Sequence, residues 1–485
     1  MPDPRDTRRP LEPEPEDLRR LIDACAGFVV EQIESLPTQP SWDLEQAETV
    51  AATFVEPPPD EGRGIGSILD RLRPAVAKSL NAAGPGYLAY IPGGGIPSAA
   101  LADFVALAVN RFVGIAGPAP ALARIEAQAI GWLASLMGYP PAAGGILTSG
   151  GSLSNLTALV TARTTRLPED FLTGTLYFSA ETHLSVIKAA RIAGFPERCL
   201  RSVPVDSRFR LRPDLLEAAI REDRARGLRP FLVVANAGTT NTGAIDPLPE
   251  IVDIAARHDL WVHADAAYGG FFRLVPEGAA RLAGIERCDS ITLDPHKGMF
   301  LPYGTGCLLV RDPETLRRAH GGQAGYLQDL GGGPGSVSFT EISPELSRDF
   351  RGLRVWLPIQ LHGLSAFREQ IQEKLDLARW AYDELKDEPF FEMLDEPQLS
   401  IVAFACRPPG GGANAASAAQ RDANAAGADL LRRVNARRRV FLSSTTIGGR
   451  YVLRICVLSF RTHMDRMRDA VSALKEEARI LAQPS

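Results

Sequence analysis

The chain has 485 residues, of which 45% are hydrophobic and 23% are charged, and its formal net charge is -5. This is globular composition, with enough chain for a large core and more than one lobe. The weakly acidic balance gives no reason to expect nucleic acid or an anionic membrane as a partner. No apolar run approaches the roughly 18–20 residues that span a bilayer.

Six cysteines are scattered along the chain, and none belongs to a C-x-x-C pair. A zinc site or a disulfide framework is therefore not expected, and the sequence predicts no metal site. The charged N-terminal segment is not followed by the apolar stretch of a secretory signal. We expect a cytoplasmic protein with reduced thiols.

Residues 1–80 are predicted to form an N-terminal helical segment. Residues 1–15 are Pro-rich and charged, and we expect them to be loosely held. Apolar residues recur at helical spacing over residues 15–36, and residues 67–80 favour a second helix that is kinked at Pro74. Because a lone amphipathic helix has little to bury against within its own lobe, we expect these helices to pack across a homodimer interface.

Residues 81–350 alternate short apolar runs with amphipathic helices. The predicted strands are residues 175–179, 231–235, 260–264, 290–293 and 306–310, and the predicted helices are residues 154–163, 184–193, 213–226 and 248–258. Strands rich in Leu and Val that are separated by helices favour a mostly parallel sheet covered on both faces. Ligands bind at the carboxyl ends of the strands in such sheets, so residues directly after a strand are site candidates.

Residues 351–485 are predicted to form a smaller C-terminal α+β domain. A long helix is expected over residues 351–386, and residues 400–405 and 451–457 favour strands. The segment between these strands is rich in Gly, Ala and Asn, and its low complexity supports no functional assignment.

The segment D-P-H-K at residues 294–297 is the sharpest chemical signal, because it directly follows a predicted strand. A neutral lysine in a partly buried pocket can attack an aldehyde and bind it covalently. The alternative is a surface lysine in a loop.

A second signal is Asp265, which stands at the carboxyl end of the predicted strand 260–264 with small residues after it. A buried carboxylate is costly unless it is paired, and a protonated pyridine nitrogen is a suitable partner. The alternative is an aspartate that caps the next helix.

Three further segments lie at a strand end or a helix start. Residues 148–155 read T-S-G-G-S-L-S-N, and their glycines, hydroxyls and free N–H groups suit a phosphate, although a plain Gly-Ser turn would look the same. His183 follows the strand 175–179 and could lie flat on a cofactor ring or cap a helix. Thr240 follows the strand 231–235 and could contact a ring oxygen or phosphate, or belong to a Gly-Thr turn.

The order and wording of these motifs resemble the group II pyridoxal-phosphate decarboxylases, which include the aromatic amino acid, glutamate and diaminobutyrate decarboxylases. Residues 86–92 (G-Y-L-A-Y-I-P) resemble the substrate-pocket segment of that family. Residues 348–356 (R-D-F-R-G-L-R-V-W) resemble its R-x-x-R-x-L-K-x-W helix, with Arg354 in place of the lysine. Residues 451–455 resemble its C-terminal L-R strand, so the likeness extends over most of the chain.

The resemblance implies an α/β, fold type I pyridoxal-phosphate-dependent transferase-like protein that acts as a homodimer. Lys297 would hold the cofactor as a Schiff base, Asp265 would keep its pyridine nitrogen protonated, and His183 would stack on its ring. The cofactor-binding residues that it implies are Gly150, Gly151, Ser152, Asn155, His183, Thr240, Asp265, Ala267, Asp294, His296 and Lys297.

The implied reaction is decarboxylation of an L-amino acid, with an aromatic one favoured, to the amine and carbon dioxide. The implied substrate residues are Tyr90, Ile91, Pro92 and Gly114. Ala82, Ile91 and Gly114 stand where animal aromatic decarboxylases carry bulky aromatic residues. That departure argues against a narrow catechol specificity and favours a roomier site.

Residues 320–344 contain seven glycines before Val337 and are predicted to form a mobile loop over the site. Tyr326 within it resembles the family's loop tyrosine, which protonates the substrate carbon. If Phe339 held that position instead, the product would be an aldehyde formed with oxygen. Further alternatives are a carbon–carbon lyase or aminotransferase on the same cofactor, and a catalytically silent binding paralogue.

Overall fold

The computed structural model describes residues 11–322, 336–407 and 416–483. The helices of these ranges are α1 (Pro15–Ser35), α2 (Ala47–Ala52), α3 (Ile65–Ala77), α4 (Pro97–Val109), α5 (Pro120–Leu136), α6 (Gly151–Arg166), α7 (Leu184–Ile192), α8 (Pro213–Ala225), α9 (Leu248–Arg257), α10 (Pro276–Arg281), α11 (Pro295–Gly298), α12 (Glu314–His320), α13 (Gly352–Leu385), α14 (Ala416–Ala436) and α15 (Met464–Ala482). The strands are β1 (Tyr87–Leu88), β2 (Gly144–Thr148), β3 (Gly174–Ser179), β4 (Leu200–Val203), β5 (Arg229–Asn236), β6 (Trp261–Asp265), β7 (Ser290–Leu293), β8 (Gly306–Val310), β9 (Phe391–Met393), β10 (Ile401–Cys406), β11 (Phe441–Ile447) and β12 (Arg450–Cys456).

A seven-stranded sheet in the order β2-β8-β7-β6-β5-β3-β4 forms the centre of the larger lobe. β8 runs antiparallel to both of its neighbours, whereas every other pairing is parallel. Almost every residue of these strands except β4 is buried, as expected for a sheet with helices on both faces. The prediction of a mostly parallel α/β sheet is confirmed.

Each of the strands predicted for this sheet lies within two residues of an observed one, but β2 and β4 were missed. β2 begins with two glycines, which are weak strand formers. A Cβ at Gly145 would lie 2.1 Å from the carbonyl oxygen of Leu308 on β8, so the close approach of these strands requires glycine. Because β2 pairs with β8, which is distant in sequence, nothing in the local sequence of β2 indicates the pairing.

The second sheet has the order β1-β11-β12-β10-β9 and packs against α13, α14 and α15. Its strand β1 comes from the segment predicted for the larger lobe and pairs in parallel with β11. The ring of Tyr87 stacks on Phe441 with centroids 5.9 Å apart, and Leu88 is completely buried in the core of this sheet. The two lobes are therefore joined through β1 as well as through α13.

The long C-terminal helix α13 is interrupted, although a continuous helix was predicted. Gly363 has φ 70° and ψ 159°, and this left-handed φ is one that glycine adopts without a steric penalty. The first part of α13 packs on α4 and α5, and the second part packs on α15. After the break, Phe367 and Ile371 still pack in the main core, whereas Leu377–Leu385 contribute to the core of the second sheet.

The N-terminal helices α1 and α3 have no buried residue in the single chain. They contact each other through the ion pair of Arg73 with Glu31 and through the Arg73 guanidinium over the Phe28 ring. Apolar side chains on both helices remain exposed, among them Leu21 at 40% and Val30 at 52%. Among the helices of the described ranges, none has the length and apolarity needed to cross a membrane.

Candidate active site

A cavity of about 340 Å³ opens at the edge of the large sheet where β3, β5, β6 and β7 end. The register places Asn236 opposite Asp265 and Asp265 opposite Thr292, so these strand ends meet at one edge. The sequence-predicted residues that line the cavity are Gly150, Gly151, Ser152, Asn155, His183, Thr240, Asp265, Ala267, Asp294, His296 and Lys297. The structure thus brings together every residue predicted to bind the cofactor.

Lys297 lies in the short helix α11, directly after β7, and its Nζ is 2.9 Å from Asp294 Oδ2. Its side chain is 23% exposed and faces the cavity, so it is accessible to a small molecule. His296 Nδ1 donates to the carbonyl of Thr305 at 2.7 Å, which fixes its ring beside the lysine. Burial lowers the pKa of His296, and the carboxylate of Asp294 only partly opposes this.

Asp265 is the last residue of β6 and is 8% exposed. Its Oδ1 accepts the N–H of Ala267 at 3.2 Å, and its Oδ2 accepts from Asn155 Nδ2 at 2.9 Å. Both oxygens are therefore acceptors, which is the arrangement of an ionised carboxylate. Such a carboxylate at the cavity wall can pair with a cationic ring nitrogen.

His183 takes the helix-capping role that the sequence left open, and its contact with a cofactor ring remains a prediction. It is the N-cap of α7, where its Nδ1 accepts the backbone N–H of Ser185 at 3.3 Å and lies 2.8 Å from the Ser185 hydroxyl. Its ring also lines the cavity. Desolvation lowers the pKa of His183, which favours the neutral imidazole.

The N-terminus of α6 lies at one end of the cavity, where its free N–H groups could bind an anion. Gly150 precedes this 16-residue helix with φ 152° and offers no side-chain cap, so the first N–H groups of the helix face the cavity wall. A Cβ on Gly151 would lie 3.1 Å from Asp294 Oδ2 and 3.2 Å from the Ala267 side chain. The glycines therefore allow the helix end to approach the lysine segment closely.

The smaller lobe supports the cavity from behind through Arg454 of β12, which is 3% exposed. Its Nε donates to the carbonyl of Asn241 at 2.8 Å, and its guanidinium also bonds the carbonyl of Thr240. This contact explains why the L-R segment and the threonine turn occur together. It positions Thr240 at the cavity wall from a strand more than 200 residues away in sequence.

The predicted substrate residues do not line this cavity. Tyr90 is 55% exposed with φ 55°, while Ile91, Pro92 and Gly114 are buried. The segment still lies against the lysine helix, because a Cβ on Gly93 would be 2.0 Å from the carbonyl oxygen of His296. Their contact with substrate remains a prediction.

Several cavity residues were missed by sequence reasoning. Those that no prediction named as site residues are Ser149, Leu153, Ser185, Asn236, Gly238, Thr239, Tyr268, Tyr303 and Gly304. Ser149, Ser185 and Thr239 stand within the recognised motifs and could have been included. No sequence motif around Tyr303 marks it as a site residue. It reaches the cavity because the turn after α11 folds back beside His296, and the ring centroids of Tyr303 and His296 are 5.8 Å apart.

Residues 336–344, the C-terminal part of the predicted mobile loop, lie within the described residues. Residues Phe339–Glu341 form a short 3-10 helix, and Phe339 is 1% exposed in the main core beneath the Arg348 guanidinium at 4.9 Å. Phe339 does not line the cavity, which argues against it as the residue over the site. Tyr326 lies outside the described residues.

The site has the groups that pyridoxal phosphate requires: an anion-binding helix end, a carboxylate at the cavity wall and a lysine between them. Within the described ranges, Asp294 Oδ1 is buried and has no hydrogen-bond partner, so a bound group with a donor would satisfy it. The fold and the site together fit an α/β enzyme with an aldehyde cofactor, and Lys297 is the candidate for its attachment.

Residues 54–407 match the family model of the pyridoxal-dependent decarboxylase conserved domain, so the chain belongs to the pyridoxal-dependent decarboxylase family. It is 34% identical to an aromatic-L-amino-acid decarboxylase of Bacillus atrophaeus, over 96% of this chain and 97% of that one. Its fold is similar to that of the Oryza sativa TDC with PLP and tryptamine, with a TM-score of 0.91, 27% identity and coverage of 98% and 100%.

Pyridoxal phosphate is therefore the cofactor, and the chain is a carboxy-lyase that decarboxylates an amino acid. The predicted family, fold class and cofactor are confirmed. The chain is also 26% identical to a phenylacetaldehyde synthase of Arabidopsis thaliana over 96% of both chains. The relatives of this chain thus include proteins named as decarboxylases and a protein named as an aldehyde synthase.

Proposed function

We propose that the protein converts an aromatic L-amino acid to the corresponding amine and carbon dioxide, with Lys297, Asp265 and His183 as its catalytic residues. The observation that carries the proposal is that these three side chains line one cavity at the carboxyl edge of the sheet. The names of the aromatic-L-amino-acid and tryptophan decarboxylases among its relatives support the aromatic substrate class.

When bound, pyridoxal phosphate supplies an electron sink for the bond that breaks at the substrate carbon. Lys297 would hold the cofactor covalently, and Asp265 would keep a proton at its pyridine nitrogen through its charge. His183 would contact its ring, and the N-terminus of α6 would bind its phosphate.

A panel of single amino acids tests the reaction and the substrate class together. Carbon dioxide and amine should form from tryptophan, tyrosine or phenylalanine and be negligible from glutamate. Keto-acid formation without carbon dioxide would indicate aminotransferase chemistry instead. A protein that neither turns over an amino acid nor binds the cofactor would support the alternative of a catalytically silent binding paralogue. The Lys297→Ala variant provides the background rate.

We infer that Tyr326 gives the proton to the substrate carbon, which makes the amine the product. In Tyr326→Phe the amine yield should fall by about 10²-fold while the cofactor remains bound, because a phenyl ring has no proton to donate. Amine, aldehyde and peroxide are measured side by side, and Tyr382→Phe, at a tyrosine outside the cavity lining, is the matched control. An unchanged amine yield in Tyr326→Phe, or peroxide release by the wild type, would contradict this assignment.

We further infer that the protein is a homodimer. Helix α4 has the most apolar sequence among the long helices of the described ranges, and one side of it faces solvent in the single chain. Its exposed apolar side chains include Leu101 at 61%, Phe104 at 50% and Leu107 at 62%. Helices α1 and α3 add further exposed apolar side chains, and exposed apolar patches commonly mark interaction surfaces. The free thiols of all six cysteines support a cytoplasmic location.

Leu107→Glu is expected to shift the protein from dimer to monomer, because a dimer interface would bury the new charge without a partner. Sedimentation velocity at several protein concentrations measures the shift. Ile192→Glu, at a residue that is 70% exposed on α7, is the matched control and should leave the dimer intact. A wild-type protein that sediments as an active monomer would refute the homodimer.

A further inference from the structure

A buried chain of hydrogen bonds lies behind Asp265, and its members Trp261, Ser290 and His263 do not line the cavity. His263 stands two residues before Asp265 on β6, so both side chains lie on the same face of the sheet. It is 3% exposed, between Ser290 of the neighbouring strand β7 and Asn155 of α6. The direction of each bond in this hydrogen-bond chain follows from what its two ends, Trp261 and Asp265, can donate or accept.

The hydrogen-bond chain begins at Trp261, whose indole Nε1–H can only donate. It donates to the hydroxyl oxygen of Ser290 at 2.8 Å. The Ser290 hydroxyl has one proton of its own and lies 2.8 Å from His263 Nδ1, so it can donate to that nitrogen. In this arrangement His263 Nδ1 is an acceptor, and the single ring proton of a neutral His263 is on Nε2.

His263 Nε2 lies 3.0 Å from Asn155 Oδ1, and the N–H donates to that oxygen. The hydroxyl of Thr292, at 3.3 Å, can accept the same N–H. The opposite tautomer would require the Asn155 amide to turn, and its oxygen would then face the Asp265 carboxylate oxygen at 2.9 Å. Two acceptors at that distance repel each other, so the ionised Asp265 selects the Nε2–H tautomer.

The chain divides at Asn155. One proton of its Nδ2 goes to Asp265 Oδ2 and the other to the Ser185 hydroxyl oxygen, both at 2.9 Å. The Ser185 hydroxyl in turn donates to His183 Nδ1 at 2.8 Å, which leaves the ring proton of His183 on Nε2. One amide orientation thus sets the hydrogen bonding of both residues that face the cofactor.

We propose that His263 is a positioning residue that holds Asn155 in one orientation, and thereby keeps Asp265 a pure acceptor and His183 in its Nε2–H tautomer. The inference rests on the proposed contacts of Asp265 and His183 with the cofactor ring. It goes beyond them, because His263 itself touches neither the cavity nor the reacting atoms.

The tautomers can be measured directly in the cofactor-free protein. The chain has only seven histidines, so selective ¹⁵N labelling gives a spectrum simple enough to assign by substitution. The signal that disappears in His263→Gln is expected to be a neutral Nε2–H imidazole throughout pH 6 to 8. An imidazolium or an Nδ1–H tautomer at His263 would overturn the proposal, whatever the enzyme activity.

Two substitutions test the consequence for cofactor binding. His263→Gln can still present an N–H to Asn155, whereas His263→Leu leaves that amide oxygen buried without a donor. The apoprotein of His263→Leu should bind pyridoxal phosphate about tenfold more weakly, and that of His263→Gln within about threefold of wild type. Equal affinity in wild type and His263→Leu would overturn the positioning role.

A control variant separates a loss of positioning from a general loss of stability. Tyr139 donates to the carbonyl of Cys288 at 2.8 Å, is equally buried and does not line the cavity. Tyr139→Phe should lose stability but keep its cofactor affinity. If Lys297 were not the attachment site, the Lys297→Ala variant would still carry covalently bound cofactor. The tautomer of His263 would be unchanged in that case, so the two failures can be told apart.

Stability against acid is a further expected outcome. Burial lowers the pKa of His263 from 6.5 to about 4, although the Asp265 charge opposes the shift. Between these pH values the unfolded chain binds one proton more than the folded chain, so stability falls as the pH falls from about 6.5 to about 4. The unfolding constant of apoprotein should rise by at most about tenfold per pH unit from this group. Urea unfolding should show a flatter dependence in His263→Gln, and an equal slope would refute the prediction.

Discussion

Lys297→Ala is expected to abolish the covalent attachment of pyridoxal phosphate and to lower the turnover rate by about 10³-fold or more. In the structure, Lys297 is the only lysine among the residues that line the cavity, and its Nζ lies next to Asp294. Alanine removes the only amine that the described cavity wall offers to the aldehyde. The phosphate end at α6 is untouched, so non-covalent binding should persist.

Borohydride reduction followed by peptide mass spectrometry measures the attachment. The wild type should carry the reduced cofactor on the peptide that contains Lys297, and the variant should carry none. Lys188→Ala, at an exposed lysine of α7 outside the cavity lining, is the control and should behave as the wild type. A labelled lysine elsewhere in Lys297→Ala would show that the anchor was assigned to the wrong residue.

Asp265→Asn is expected to lower kcat by about 10²- to 10³-fold without unfolding the protein. The amide has nearly the same shape as the carboxylate, but it carries no charge to hold a proton on the pyridine nitrogen. It also disturbs the bond from Asn155 Nδ2, which needs an acceptor at 2.9 Å. The loss should therefore appear mainly in kcat.

Asp265→Glu is the matched variant, because it keeps the charge and moves it by one methylene, and it should retain more activity than Asp265→Asn. Thermal unfolding of both variants checks that the fold is intact. The assigned role of Asp265 would be untenable if Asp265→Asn turned over substrate at nearly the wild-type rate.

Much of the large lobe could be predicted because its signals are local. Leu- and Val-rich strands separated by amphipathic helices mark a parallel sheet, and in such a sheet the residues after each strand meet at one edge. Asp265, His183 and Lys297 were found in this way, since each directly follows a strand or starts a helix. The glycines at 150 and 151 were found because a close approach at a helix N-terminus requires residues without a side chain.

Only the tertiary structure decided the features that depend on partners far apart in sequence. The pairing of β1 with β11, the break of α13 at Gly363 and the support of Thr240 by Arg454 all join distant segments. The burial of Phe339 likewise depends on Arg348 folding over its ring.

The hydrogen-bond chain behind Asp265 shows the same division most clearly. The sequence shows Trp261, His263 and Asp265 as alternate residues of one strand. This spacing indicates only that the three side chains lie on the same face of the sheet. The polarity of the chain comes from Ser290 on the next strand and from Asn155 on a helix 108 residues away from His263. A donor can be matched with its acceptor only when both are in place, so composition and periodicity determine the sheet, whereas packing determines where each proton lies.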